Sequence, residues 1–213
     1  MSVRLPAQRE WTADEIRVLD AVRTCFERWG MEKTTVDDIA REASMSRATL
    51  YRLFPGGRDV VFEAHRVREL DDFFRRLLDG IGNADGLLEL LSRAVSVAMT
   101  ELTADEHLAA MLASEPGNVI SEMTVDGLPR ILRVANAYLL ALVEPYLPLS
   151  QARTVIDTTV RLVISHFLVP SDQVDLRDEA QARTFIAPFL PTDTPVHTSI
   201  DTPADTPLTG DPA

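Results

Sequence analysis

The sequence predicts an all-α protein, and three observations support this. Apolar residues recur at helical steps of three and four almost everywhere up to about residue 190. Strand signals are scarce, because no Asn-Gly or Asp-Gly pair stands between two alternating apolar runs. The composition, 46% hydrophobic and 25% charged over 213 residues, is ordinary for a globular chain of one large or two small domains.

Several features bear on where the chain resides. No apolar run approaches the ~20 residues that cross a bilayer, and the first residues lack the apolar core of a signal peptide. The one cysteine, Cys25, permits no internal disulfide and fits a reducing compartment. We therefore expect a cytoplasmic protein without membrane contact, in which Cys25 packs as a small hydrophobe.

The net charge of −12 is distributed unevenly. Residues 1–68 contain 12 Lys and Arg against 11 Asp and Glu, a balance of +1, whereas the remainder contains 9 against 22, a balance of −13. An acidic body weakens long-range attraction to a polyanion, but phosphate contacts depend on where the basic side chains of the first segment point.

Residues 1–11 form a predicted arm carrying Arg4 and Arg9, which is either disordered or reaches a nucleic-acid groove. Thr12 and Glu15 have the spacing of a capping box and predict the start of a first helix. Gly30 predicts its end. The predicted inward face of this helix consists of Ile16, Leu19, Val22, Phe26 and Trp29.

Two short helices and a tight turn are predicted between Thr35 and Phe54. Thr35 and Asp38 form a second capping box, Ser44 and Met45 make the turn, and Ser46 caps the second helix. That helix presents small, hydroxyl and basic residues near its start, a combination suited to the major groove of DNA. The pattern predicts a DNA-binding helix-turn-helix.

A long helix follows the Pro-Gly-Gly turn at residues 55–57, from Arg58 or Asp59 to about Asp79. It is long enough to belong to both a DNA-binding head and a body. The remaining predicted helices cover residues 85–102, 103–114, 128–146, 150–168 and 176–190, with a short turn at 119–124. The tail at 191–213 repeats Asp-Thr-Pro and is predicted to be disordered.

From Thr34 to the long helix the chain resembles the TetR family of bacterial transcriptional regulators. The segments T-T-V-D-D-I-A-R-E-A, S-R-A-T-L-Y-R and F-P carry the resemblance, within residues 12–65. It implies a DNA-binding domain at 12–57 and a helical effector-binding and dimerisation domain at 58–190. It further implies a homodimer that represses from a palindromic double-stranded DNA operator and is released by a small molecule, with no cofactor.

The chain departs from the family pattern at three positions. Ser44 stands where the family usually has Gly, at a position that tends to need positive φ, so strain or an altered turn is expected. Leu53 replaces an aromatic residue or His that often touches phosphate. Gly57 replaces a Lys, and Arg58 points about 100° further round the helix. Fewer phosphate contacts than in a typical member are therefore expected.

DNA contacts are predicted for residues of the two short helices and the loop before them. Arg47 is expected to read guanine bidentately, and Thr49 to touch a thymine methyl or a phosphate. Tyr51 is expected on phosphate, with core packing as the alternative, and Arg52 either on DNA or in solvent. The complete predicted set is Lys33, Thr35, Ser46, Arg47, Ala48, Thr49, Tyr51 and Arg52.

The helices between about 60 and 168 are expected to enclose a pocket for a hydrophobic or amphipathic effector. Candidate lining residues are polar groups among apolar neighbours and adaptable aromatic or thioether side chains, each with a core role as the alternative. They are Phe74, Met99, His107, Met111, Asn136, Tyr138, Thr158 and His166.

The last two helices, at about 150–190, are predicted to form the dimer interface, because the first of them is apolar on most of its circumference. A monomer with this helix at its centre is the alternative. An enzyme is not indicated, since no G-x-S-x-G, H-E-x-x-H, Cys pair or phosphate-binding Gly loop occurs. Asp105, Glu106 and His107 diverge by 100° per helical step and do not converge on a metal. A DNA-binding protein of the same fold without a sensing role remains the alternative function.

Overall fold

The computed structural model describes residues 10–190, which contain helices and loops without strands. Most of the predicted arm and the whole predicted tail lie outside this range. Ten α-helices and a terminal 3₁₀ turn, Ala187–Phe189, are present in the described range. The helices are α1 (Ala13–Trp29), α2 (Val36–Glu42), α3 (Arg47–Leu53), α4 (Arg58–Ile81), α5 (Leu87–Ala104), α6 (Glu106–Ser114), α7 (Pro116–Met123), α8 (Leu128–Val143), α9 (Leu149–Leu168) and α10 (Glu179–Ile186).

Helices α1–α3 and the first turns of α4 surround one apolar core. Both predicted capping boxes are present, at Thr12 and at Thr35, and Gly30 ends α1. The prediction that Ile16 and Trp29 face inward is wrong, since they are 37% and 38% exposed. Both residues lie at the edge of the buried face of α1. It consists of Val18, Leu19, Ala21, Val22, Cys25 and Phe26.

Helix α4 belongs to two cores. Its 24 residues span about 36 Å at the helical rise and end at Ile81. Gly82, with φ 60, is the C-cap. Val61 and Phe62 are buried in the head, whereas Phe74 and Leu77 are buried in the body. Helix α4 therefore joins the core of the head to the core of the body.

Several predicted boundaries in the body differ from the structure. Helix α6 starts after Asp105, whose side chain accepts a hydrogen bond from the Leu108 N–H, because Thr103 still belongs to α5. Pro116 begins α7, where the first turn needs no N–H donor, so 116–123 is a helix rather than a turn. Helix α8 ends at Val143, not at residue 146. Asp178 caps α10, which is shorter than predicted.

In the body, α5 packs against α4, α9 and α10, and α8 packs against α9 and α4. Helix α9 packs against α8 and α5, whereas α10 packs mainly against α5 and buries Ala182 and Ile186 there. Helix α10 also touches α9, where His166 meets Phe185 with ring centroids 4.7 Å apart. Between residues 10 and 190, no helix has the length and apolar character that a membrane span requires.

Candidate DNA-binding surface and effector cavity

The turn between α2 and α3 is closed by a pair of backbone hydrogen bonds. The Met45 N–H donates to Ala40 C=O at 2.8 Å, and the Ser44 N–H donates to Arg41 C=O at 3.1 Å. This is the Schellman pattern, whose C′ residue adopts the left-handed conformation. Ser44 has φ 55 and is the one non-glycine residue with positive φ in the described range. The sequence expectation of strain at Ser44 is confirmed.

The outer face of α3 carries Arg47, Ala48, Tyr51 and Arg52, all exposed, while Leu50 anchors the helix in the core. Arg47 is held by its neighbours. Its Nη1 lies 3.3 Å from a carboxylate oxygen of Asp37 on α2, and its guanidinium carbon lies 5.5 Å from the centroid of the Tyr51 ring. The Tyr51 contact and the Asp37 charge raise the pKa of Arg47. The guanidinium is therefore oriented on the surface of α3.

The predicted hydroxyl contacts lie at the helix starts and are already hydrogen-bonded. The Thr35 hydroxyl donates to Asp38 at 2.5 Å and accepts from its N–H at 3.2 Å. The Ser46 oxygen accepts from the Thr49 N–H at 3.1 Å and lies 2.9 Å from the Thr49 hydroxyl. Lys33 is exposed in the loop before Thr35. Of the eight predicted DNA-contacting residues, Lys33 and Thr35 lie in this loop, Ser46 lies in the α2–α3 turn, and the other five lie in α3.

Gly57 and Arg58 have structural roles that explain the departure from the family pattern. Gly57 is buried with φ 71, and a Cβ there would lie 2.9 Å from Cε1 of Tyr51, so the glycine makes room for the Tyr51 ring. Arg58 turns inward, donates to the carbonyls of Thr34 at 3.0 Å and Met31 at 2.9 Å, and covers Phe62. Its guanidinium holds the α1–α2 loop.

A cavity of about 280 Å³ lies beneath the head, lined by α1, the α1–α2 loop and six helices of the body. Its wall is overwhelmingly apolar, and its polar residues come mainly from α4, α6, α7 and α8. Phe26 of α1 and Met31 of the loop reach it from the head, and Val163 of α9 from the far side. An occupant would contact both domains.

Three of the predicted effector-binding residues line this cavity: Phe74, His107 and Met111. The other five lie elsewhere. Met99 packs in the body core, and Tyr138 stacks behind Phe74 and donates to Asp71 at 3.2 Å. Asn136 lines an outer cleft between α8 and α9. Thr158 does not line the cavity, but its neighbour Thr159 does. His166 packs on Phe185.

Helix α4 contributes more of the cavity wall than its predicted aromatic residues Phe73 and Phe74. His65, Glu69, Phe73 and Leu77 follow one another at steps of four and line the cavity together. The spacing of four is visible in the sequence and would have identified His65, Glu69 and Leu77 as well. Burial lowers the pKa of His65 to about 3, and burial also raises the pKa of Glu69.

Comparison with known proteins agrees with this geometry. Residues 18–64 match the model of bacterial regulatory proteins of the tetR family. The chain is 29% identical over 187 residues to the HTH-type transcriptional regulator Rv1255c of Mycobacterium tuberculosis, covering 87% of each chain. It is also 29% identical over 129 residues to the regulator Rv2250c of that organism, covering 56% of this chain and 65% of that one.

Among solved structures, the TetR-family repressor AlkX from Dietzia sp. superimposes with a TM-score of 0.61 and 25% identity. The alignment covers 85% of this chain and 97% of AlkX. The chain belongs to the TetR family. It is a DNA-binding transcriptional regulator of that family, with the helix-turn-helix in α2 and α3.

Among the contacts between the body of this TetR-family regulator and its head, two lie next to the cavity or the α1–α2 loop. The Glu115 carboxylate, between α6 and α7, accepts from the Met31 N–H at 3.3 Å and from the Asn118 amide at 3.0 Å. The Phe26 ring of α1 meets the His65 ring of α4 edge-on, with centroids 5.5 Å apart. The Glu115 contact lies on the α1–α2 loop, and the Phe26–His65 contact lies on the cavity.

Proposed function

We propose that this regulator is a dimeric repressor that leaves a palindromic operator when a small apolar or amphipathic effector fills the cavity. One observation carries the proposal: the cavity wall includes head residues Phe26 and Met31 together with body residues as distant as Val163. An effector that changes the packing of this wall acts directly on the relation between head and body. AlkX, described as a repressor implicated in biodegradation of n-alkanes, supports both the repressor role and the apolar class.

The proposed release works through α4. A dimer engages an operator when its two α3 helices are about one DNA turn apart, ~34–36 Å. Because α4 is shared by both cores and borders the cavity with His65 and Phe73, a shift of this helix changes that separation. A displacement of a few ångströms suffices to break simultaneous contact with two half-sites.

Operator recognition is proposed for Arg47, with Lys33, Thr35, Ser46, Ala48, Thr49, Tyr51 and Arg52 around it. The guanidinium is exposed and oriented by Asp37 and Tyr51, and a guanidinium pairs bidentately with guanine. The hydroxyls at the helix starts are proposed to contact phosphates, which would fix the register on the duplex.

The dimer interface is proposed on α8 and α9. The sequence instead predicted the last two helices, α9 and α10. Helix α10 already uses its apolar side against α5, whereas α8 and α9 lie side by side. Ala137, exposed on α8 beside the outer cleft, offers a test. Ala137→Glu is expected to shift the dimer to monomer in sedimentation velocity. A dimer unaffected by this change places the interface elsewhere.

The test of operator recognition is fluorescence anisotropy on the duplex upstream of the protein's own gene, beside a scrambled duplex, across a salt series. Arg47→Ala is expected to weaken specific binding about tenfold or more and to leave binding to the scrambled duplex nearly unchanged. The matched control is Arg177→Ala, since Arg177 is also exposed and paired with an aspartate, Asp175, but lies before α10. Equal losses in both variants would refute a reading role for Arg47.

A further inference from the structure

The exposed face of α8 has an unpaired charge at each end. Arg133 lies near the start of the helix, Glu144 is its C-cap, and both side chains are exposed. Among the described residues, neither has an oppositely charged partner within 4 Å. Both charges are therefore available to a partner molecule.

Arg133 and Glu144 lie on one stripe of α8. The eleven steps between them turn an α-helix through three full turns and about 20°, and extend it by roughly 16 Å. Ala137, which is exposed, and Leu140, which is half-buried, lie on the same side between the two charges and border the outer cleft. The stripe thus has an apolar centre, with one small and one large residue, and opposite charges at its ends.

This stripe is complementary to a second copy of itself. In an isologous contact, residue i of one subunit meets residue j of the other, while j meets i. When the two-fold axis crosses α8 midway between Ala137 and Leu140, the two copies of the helix lie antiparallel. Arg133 then meets the partner's Glu144, and Leu140 meets the partner's Ala137. Each charge meets its opposite, and each large side chain meets a small one.

Helix α9 does not provide a free carboxylate for Arg133. With the C-cap of α8 included, α8 and α9 carry two carboxylates, Glu144 and Asp157. Asp157 already binds Arg161 of its own helix at 2.8 Å. The other arginine of α8, Arg130, is paired with carboxylates of α4 and α7. Glu144 is therefore the carboxylate of these two helices that remains for Arg133 of a second copy.

We infer that a second copy of this chain packs on α8 in an antiparallel register, with Arg133 of each subunit paired with the partner's Glu144. This register rests on the proposed dimer and specifies how its two subunits meet. An apolar centre with a polar rim is the usual anatomy of a protein interface. Charge pairs at the rim disfavour other registers, because those bring like charges together or leave the charges unpaired.

The test exchanges the two charges in the full chain and measures the dimer dissociation constant by sedimentation equilibrium over a concentration series. Arg133→Glu and Glu144→Arg are each expected to weaken the dimer about tenfold or more, because the two-fold axis repeats the new like-charge contact in every dimer. Arg133→Glu combined with Glu144→Arg is expected to dimerise within about threefold of the unchanged chain.

A mixture of the two single variants gives an independent result. In a mixed dimer both contacts again join opposite charges, so a 1:1 mixture of Arg133→Glu and Glu144→Arg is expected to recover the affinity that each variant lacks alone. The matched control is Arg183→Glu on α10, since Arg183 is also exposed and has no ion-pair partner in the described range. It is expected to leave the dissociation constant within twofold.

Several outcomes would overturn the register. If the single variants dimerise as tightly as the unchanged chain while Ala137→Glu dissociates, the register is wrong and the proposed interface stands. Losses that neither the double variant nor the mixture recovers would refute the pairing of Arg133 with Glu144. Arg153 is the other unpaired arginine of the outer cleft. Recovery of Glu144→Arg by Arg153→Glu instead would place α9 against the partner's α8. An unchanged chain that stays monomeric at every concentration would refute the proposed dimer and the register together.

Discussion

Ser44→Gly should stabilise the DNA-binding head. Ser44 is the C′ residue of the Schellman motif between α2 and α3 and has φ 55. A left-handed conformation costs a residue with a Cβ about 1–2 kcal/mol. Glycine removes that cost, but the freedom it gains in the unfolded chain offsets about 0.5–1 kcal/mol. The net gain is about 0.5–1 kcal/mol.

The two tryptophans of the chain make the assay specific to the head. Trp11 packs against the head core and Trp29 ends α1, so both report on the head and tryptophan fluorescence follows its unfolding. With urea slopes of about 1–3 kcal/mol per M, the midpoint should rise by roughly 0.2–1 M. Ser44→Ala is the matched control, because it keeps the Cβ and should leave the midpoint nearly unchanged.

The reasoning is refuted if Ser44→Gly lowers the midpoint, or if Ser44→Ala raises it equally. The first result would mean that the turn relaxes to avoid the positive φ. The second would mean that the hydroxyl rather than the backbone conformation carries the cost. Operator affinity should change little, because Ser44 stands outside the exposed face of α3.

Three further predictions concern the head. Asp37→Asn should tighten operator binding roughly threefold or more, because it removes a negative charge beside the DNA while Tyr51 still orients Arg47; unchanged anisotropy would contradict this. Arg58→Ala should destabilise the head by about 1–3 kcal/mol in urea titration, since three loop carbonyls lose a charged donor, and Arg58→Lys should recover only part of the loss. Cys25 is fully buried and its pKa is raised to about 11 by burial, so labelling by a thiol reagent at pH 8 should be slow and should accelerate in urea. Rapid labelling of the native chain would mean that the head opens readily.

The features predicted correctly from sequence are those whose signals are local. The capping boxes at Thr12 and Thr35 and the strained turn at Ser44 depend on atoms within about five residues of one another. Such contacts form in any context that allows the helix, so residue type and spacing suffice. The family resemblance also rests on this local segment.

The cavity was predictable only in part. Phe74, His107 and Met111 line it, but the choice between Thr158 and Thr159 depends on the rotation of α9, which is set by packing against α8 and α5. Neighbouring helical positions differ by 100°, so a small rotation exchanges a wall residue for a surface residue. His166 faces α10 for the same reason.

The sequence by itself determined that this protein is helical, that its DNA-binding helices are α2 and α3, and which residues α3 exposes. Only the tertiary structure decided that Arg58 holds the α1–α2 loop and that α10 covers α5. Only the tertiary structure, likewise, brought His65 and His107 to one end of a cavity. The physical reason is that helix formation depends on nearby residues, whereas these contacts join side chains far apart in the chain and depend on how whole helices pack.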